Sequence, residues 1–238
     1  MDCRSIVEFV DAVNKGTRHV QLWEIPRLTD EDIITIIKAT HSHCATFTQL
    51  GFFRCGLSTN QLGLLCDGVS SRLDHLLLQY SNVGDNGVKH LVRLLERKDC
   101  GLERLFVCDD SVADEGITQL AQTIRKNKSL KLLCITDNPI SKHGLQALQD
   151  MLKDNTTLRT LNFSMHRIPD LDINDVIKFN ALCRNPRMRA DCKRIEALCF
   201  LANAKHAKHS AFKGFPIDLC RIVKDMLCER LVLMNPQS

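Results

Sequence analysis

Apolar residues recur along this chain in a fixed unit. Leu102, Leu105, Val107 and Val112 are followed 28 residues later by Leu130, Leu133, Ile135 and Ile140. After another 28 come Leu158, Leu161, Phe163 and Ile168. Upstream, Leu73, Leu76, Leu78 and Val83 repeat the set 29 residues before Leu102, preceded by Phe47, Leu50, Phe52 and Leu57. A weaker first copy, Val20, Leu22 and Leu28, fits with one inserted residue near Pro26. Within each unit the apolar residues stand at offsets 0, +3, +5 and +10 from its start. Offsets +3 and +5 are two apart, so they share one face of a short strand.

Beyond the strand, offset +8 holds Cys55, Ser81, Asp110, Asn138 and His166. A small polar side chain or a thiol there can satisfy backbone groups where the chain turns away. Asn138 and Cys55 fit that role best and His166 worst. Offset +14 is Gly87, Gly116 and Gly144 in the middle units. Glycine serves there through tight packing or through a positive φ. Apolar residues then follow at helical spacing: Val88, Leu91, Leu95; Ile117, Leu120, Ile124; Leu145, Leu148, Leu152. Each unit is strand, turn and helix. None can cover its own apolar side, so neighbours must stack into one continuous core.

The pattern L-x-x-L-x-L-x-x-N/C-x-L with its following G-x-x-x-L helix resembles the leucine-rich repeat. The 28-residue unit with a long helix is similar to the ribonuclease-inhibitor-like subtype, also found in innate-immune receptors. The resemblance spans residues 17–180 in about six units. It implies an α/β solenoid, a horseshoe with an inner parallel β-sheet and outer helices. The last copy departs from the pattern, with Asp172 in place of the glycine and Asn180 at a core position, as where an array ends. Residues 1–16 read as an N-terminal cap helix with Ile6, Phe9, Val10 and Val13 on its apolar side. Residues 181–238 lose the period and read as a helical C-terminal cap. Its helices are expected at Arg189–Asn203 and Asp218–Leu233, with Pro216 near the start of the second, where proline is tolerated.

The tail Phe200–Leu227 resembles the short helical tails of effector proteins that intracellular bacteria inject into host cells. That implies host–pathogen interaction and a cytoplasmic site of action, reached by a non-classical secretion route. Phe215–Leu219 also resembles the start of an F-box, which implies an adaptor recruiting a ubiquitin ligase, although F-boxes usually precede their repeats. A third reading rests on eight Lys/Arg between Arg184 and Lys213 against Asp191 and Glu196. It makes that segment a binder of nucleic acid or anionic membrane; a solvated cap surface explains the same charges, and neither partner is expected.

Composition narrows the rest. The 238 residues suggest one to two domains; 44% are apolar and 25% charged, which excludes wholesale disorder. Twelve cysteines, with no signal-like start in MDCRSIVEFVDAVNKG, read as free thiols acting as small hydrophobes in a reducing compartment. The net charge of +4 does not demand nucleic acid. No phosphate-cradling loop, G-x-S-x-G elbow or H-E-x-x-H is present. His41, His43 and Cys44 lack the paired spacing of a structural zinc site. Cys192, Cys199, His206 and His209 suit a core and a linker better than a metal. The expectation is a non-enzymatic protein with no cofactor and no small-molecule substrate.

In a stacked sheet, offsets +2, +4 and +6 point away from the core, toward the concave surface. They place Trp23 (on the shifted first copy), Phe53, Leu77, Arg104, Phe106 and Leu132 there, with Arg54 and Tyr80 alongside. Apolar residues so gathered, rimmed by Arg54, Arg104, Asp109 and Asp137, read as a protein-binding surface. The competing reading buries the aromatics under loops or the N-terminal segment.

Overall fold

Leu76 and Leu78 stand two apart, and both are fully buried while His75, Leu77 and Gln79 are not. That alternation is a strand with one covered face, and it recurs along the chain. The computed structural model describes residues 1–42, 48–164 and 168. The chain divides into two compact units, Met1–Arg167 and Ile168–Ser238, and every element below belongs to the first. The readings of His166, the array end at Asp172 and Asn180, the C-terminal helices and cap, the effector-like tail, the F-box-like stretch and the basic segment 184–213 lie outside the described residues.

The order is β1 (Asp2–Cys3), α1 (Ile6–Asn14), β2 (His19–Trp23), α2 (Asp30–Ser42), β3 (Gln49–Phe53), α3 (Thr59–Gly68), β4 (His75–Gln79), α4 (Gly84–Glu96), β5 (Arg104–Cys108), α5 (Asp114–Lys126), β6 (Leu132–Cys134), α6 (Lys142–Asp154) and β7 (Thr160–Asn162). The strands form one open parallel sheet in chain order, β1 to β7. Six of them stand at the six repeat copies; the seventh, β1, pairs Asp2 with Gln21 and Cys3 with Leu22 ahead of helix α1. Right-handed crossovers between consecutive parallel strands place every helix on the same side. Leu50, Leu76, Leu105 and Leu133 face that side at 0% exposure, against Val88, Ile117 and Leu148 of the helices, also at 0%. Among the described residues no helix is long and apolar enough to cross a membrane.

The repeated glycines act by close approach. Gly87, Gly116 and Gly144 do not have positive φ, unlike Gly16, Gly56 and Gly84. Asp85 of one unit accepts from Ala113 N at 2.8 Å and Gly116 N at 3.1 Å in the next, capping α5 from outside its own segment. Asp114 does the same for α6, accepting from Ser141 N at 2.8 Å and Gly144 N at 3.1 Å. A Cβ on Gly116 would lie 2.6 Å from Asp85 Oδ1 and 2.7 Å from Val112 Cγ1. Gly116→Ala is therefore expected to lose about 1–3 kcal/mol from overpacking and a displaced cap, outweighing the ~1 kcal/mol helix-propensity gain. Urea denaturation checks this; unchanged or higher stability would contradict it.

Candidate functional site

Register carries side chains from successive units into rows on the face opposite the helices. One row is His19, Gln49, His75, Arg104, Leu132 and Thr160; the next is Gln21, Gly51, Leu77, Phe106, Cys134 and Asn162; the third begins Trp23, Phe53, Gln79 and Cys108. Trp23 pairs with Phe53, so the first copy takes the shifted alignment. None of these residues is an Asp or Glu.

At the strand ends the backbone turns through the left-handed region. Glu24, Arg54, Tyr80, Asp109 and Asp137, each one residue past the third row's offset, have φ between 53° and 60° or, for Arg54, 52°. The reason is the ladder. Their N–H groups donate across to the neighbouring unit: Glu24 to Phe53 O at 2.8 Å, Arg54 to Gln79 O at 2.9 Å, Tyr80 to Cys108 O at 3.2 Å and Asp109 to Thr136 O at 3.0 Å. Each such non-glycine conformation costs about 1–2 kcal/mol, which the interstrand hydrogen bond offsets.

That turn sets the aromatics against one another. Trp23 and Phe53 stack with ring centroids 3.9 Å apart at 37°. Tyr80 meets Phe53 edge-on at 5.6 Å and 83°. The Arg54 guanidinium lies 5.4 Å from the Phe53 ring and 5.2 Å from Tyr80, and it pairs with Glu24 at 3.3 Å. Tyr80 is 41% exposed, Arg54 is exposed, and Trp23 and Phe53 are half-buried. Nearer the opposite ends of the strands, Leu77 pairs with Phe106 and Arg104 with Leu132. Arg104 is exposed, and Leu77, Phe106 and Leu132 are half-buried. The eight residues singled out thus fall into two groups on one face: an aromatic and guanidinium stack over β2–β4, and an apolar strip with one arginine over β4–β6.

Sequence reasoning missed several features between them. Gly51 lies between the groups, and the Gln21 side chain fills the space beside it, 2.9 Å from where a Cβ would stand. His75 is bonded through Nδ1 to Asp74, and Lys131 to Glu103, so these two side chains are held by neighbours within the protein while Arg104 between them stays exposed. Cys108 and Cys134 bring their sulfurs to 3.4 Å. Offsets +6 and +4 of adjacent units are diagonal neighbours, so the spacing could have indicated this contact. His41 of the candidate metal trio has Nε2 2.7 Å from the Gly68 carbonyl, which ties α2 to α3; His43 and Cys44 lie outside the described residues. Among the described residues no three His, Cys, Asp or Glu converge as metal ligands.

No protein-family model matches the chain. It is similar to the mouse (Mus musculus) NACHT, LRR and PYD domains-containing protein 1a, with 34% identity over 101 residues, 39% of this chain and 8% of that protein. Mouse NACHT, LRR and PYD domains-containing protein 5 is 28% identical over 106 residues, 44% of this chain and 9% of that protein. The chain spans less than a tenth of these relatives' length. Among solved structures, a Caenorhabditis elegans tropomodulin C-terminal domain superposes with a TM-score of 0.49 at 12% identity, over 80% of this chain and 98% of that one. Leiomodin-1 Actin-Binding Site 2 gives 0.45 at 14%, over 83% and 96%. The LRR-type relatives agree with the parallel-sheet α/β repeat seen here.

Proposed function

We propose that this chain is a non-enzymatic leucine-rich-repeat module of the ribonuclease-inhibitor-like subtype, holding a protein partner on the open face of its sheet, the concave side of a horseshoe. The 28-residue spacing of the later units and their thirteen-residue helices support the subtype. The observation that carries the function is the chemistry of the face. Trp23, Phe53, Tyr80, Leu77, Phe106 and Leu132 retain solvent exposure there, and the three rows contain no carboxylate. Depletion of charge around aromatic and arginine anchors is the signature of an interface centre. Arg54 held between Phe53, Tyr80 and Glu24 is preorganised to engage a partner without further loss of side-chain freedom.

The double variant Arg104→Glu with Phe106→Ala is expected to abolish capture of the partner in pulldowns while the melting temperature stays within a few degrees of the parent. Arg104 is exposed and Phe106 half-buried, so neither anchors the core. Retained capture, or collapse of the fold, would refute the assignment of this face. The tail resemblance at residues 200–227 adds delivery into a host cytoplasm to this reading. A translocation reporter fused with and without those residues tests it, and a signal independent of them removes that part.

A further inference from the structure

Cys108 closes β5 and Cys134 closes β6. Both belong to the rows of the open face, where each keeps only 8% exposure, enough for a small peroxide but not for a large oxidant, and their Sγ atoms are 3.4 Å apart, with the Cys108 S–H donating to Cys134. Among the described residues no other two cysteine sulfurs are in such contact; Cys3, Cys55, Cys66 and Cys100 are free thiols placed elsewhere. We propose that Cys108 and Cys134 form a redox pair, closed to an interstrand disulfide by a hydroperoxide and reopened by a small thiol. This stands apart from the partner-binding reading, since it needs only the two sulfurs and their surroundings.

The geometry supplies the two requirements of such a pair. A disulfide needs the sulfurs at about 2.05 Å, so they must close by a little over 1 Å. The place suits that movement. The paired register of β5 and β6 ends at Phe106 with Cys134, and the next ladder bond, from Asp109 N to Thr136 O, comes only beyond Cys108. The second requirement is a division of roles. The hydrogen bond from Cys108 stabilises negative charge on Cys134 and holds its thiol below the usual range, while the same bond and burial push Cys108 up. Cys134 is thus the attacking sulfur and Cys108 the resolving one.

The chemistry balances. Cys134 thiolate attacks one oxygen of the hydroperoxide; the O–O bond breaks, Cys134 becomes a sulfenic acid, and the other oxygen leaves, protonated, as water or an alcohol. Cys108 then gives up its proton and attacks the Cys134 sulfur. The S–O bond breaks, the S–S bond forms, and the hydroxyl leaves with that proton as water. The two thiols lose two electrons and the peroxide gains them. Two molecules of a small thiol reverse the change by exchange, ending as their own disulfide.

The test uses the reduced full-length chain and stoichiometric hydrogen peroxide. Non-reducing peptide mapping of the parent is expected to show Cys108 linked to Cys134, with the link lost on incubation with glutathione. In Cys108→Ser, a sulfenic acid trapped by dimedone should accumulate at Cys134. In Cys134→Ser, peroxide consumption at Cys108 should slow at least tenfold. The proposal is overturned if the parent map shows both cysteines still free after other thiols of the chain have oxidised. Bridging of either to a different cysteine, or oxidation of Cys134 past sulfenic acid without a link, would also overturn it. The parent map needs no variant, so a substitution that disturbs folding does not blur the outcome.

Discussion

Asn138→Ala is expected to remove about 4 kcal/mol of stability, the largest loss of any single polar substitution foreseen in this fold. Asn138 is 4% exposed, and its short side chain ties two units together. Nδ2 donates to Val107 O of the preceding unit at 2.7 Å and to Ile135 O at 3.1 Å. Oδ1 accepts from Asp110 N at 3.2 Å and Val112 N at 3.0 Å. Alanine strands these backbone groups in a place water does not reach, at roughly 1–3 kcal/mol each before relaxation. Chemical denaturation monitored by far-ultraviolet circular dichroism measures the loss. A change below about 1 kcal/mol, the net value of one ordinary hydrogen bond, would mean the ladder is not what holds adjacent turns together.

At the equivalent position one unit earlier the sign reverses: Asp110→Asn is expected to stabilise the protein by about 3 kcal/mol at pH 7.5. Residues at this offset donate to the fifth-offset carbonyl of the preceding unit: Cys55 to Leu22 O at 3.3 Å, Ser81 to Phe52 O at 3.4 Å, Asn138 to Val107 O at 2.7 Å. The matching acceptor for Asp110 is the Leu78 carbonyl, and an ionised carboxylate has no proton to give it. Asp110 is fully buried, Oδ1 accepts from Ser81 N at 2.5 Å, and Oδ2 has no partner among the described residues. Burial pushes its carboxyl from the ordinary 3.8 up to about 6.

A carboxyl whose folded value is raised favours folding only while protonated. The parent is therefore unpenalised below pH ~4, loses stability as the pH rises toward 6, and stays at the lower level above that. The shift from 3.8 to about 6, at 1.36 kcal/mol per unit, sets the ~3 kcal/mol scale. Asparagine keeps the acceptor for Ser81 N and adds the missing donor. Denaturation of parent and variant across pH 4–8 should show a gap that opens between pH 4 and 6. A gap of constant size, or a less stable variant at pH 7.5, would rule out a carboxylate penalised by burial.

How much of this was legible in the sequence follows from how local each feature is. The alternation at Leu76 and Leu78 and the helical spacing at Ile117, Leu120 and Ile124 are properties of one segment, and six of the strands stand where the period puts them. The choice between packing and a positive φ for Gly116 was not local; it depended on Asp85, 31 residues away. Asn127 and Asn155 recur at 28 residues yet carried no expected role. Each donates to the helix of the preceding unit, Leu95 O at 3.1 Å and Ile124 O at 2.6 Å, and accepts from its own following turn.

The candidate face divides the same way. Register placed Trp23, Phe53, Leu77, Arg104, Phe106 and Leu132 on one side, because side chains alternate along any strand. The left-handed turn at Arg54 and Tyr80 left no trace in residue type. Neither is a glycine; the next unit's carbonyls impose that conformation through hydrogen bonds.

The order of strands, their buried faces and the stacking of units were written in the amino-acid pattern, since period and alternation act within a few residues. The Arg54 stack, the cross-unit caps, the sulfur contact of Cys108 and Cys134 and the burial that raises the Asp110 carboxyl were decided only by the tertiary structure. Each depends on atoms about one repeat apart in the chain, brought together when one unit lies against the next.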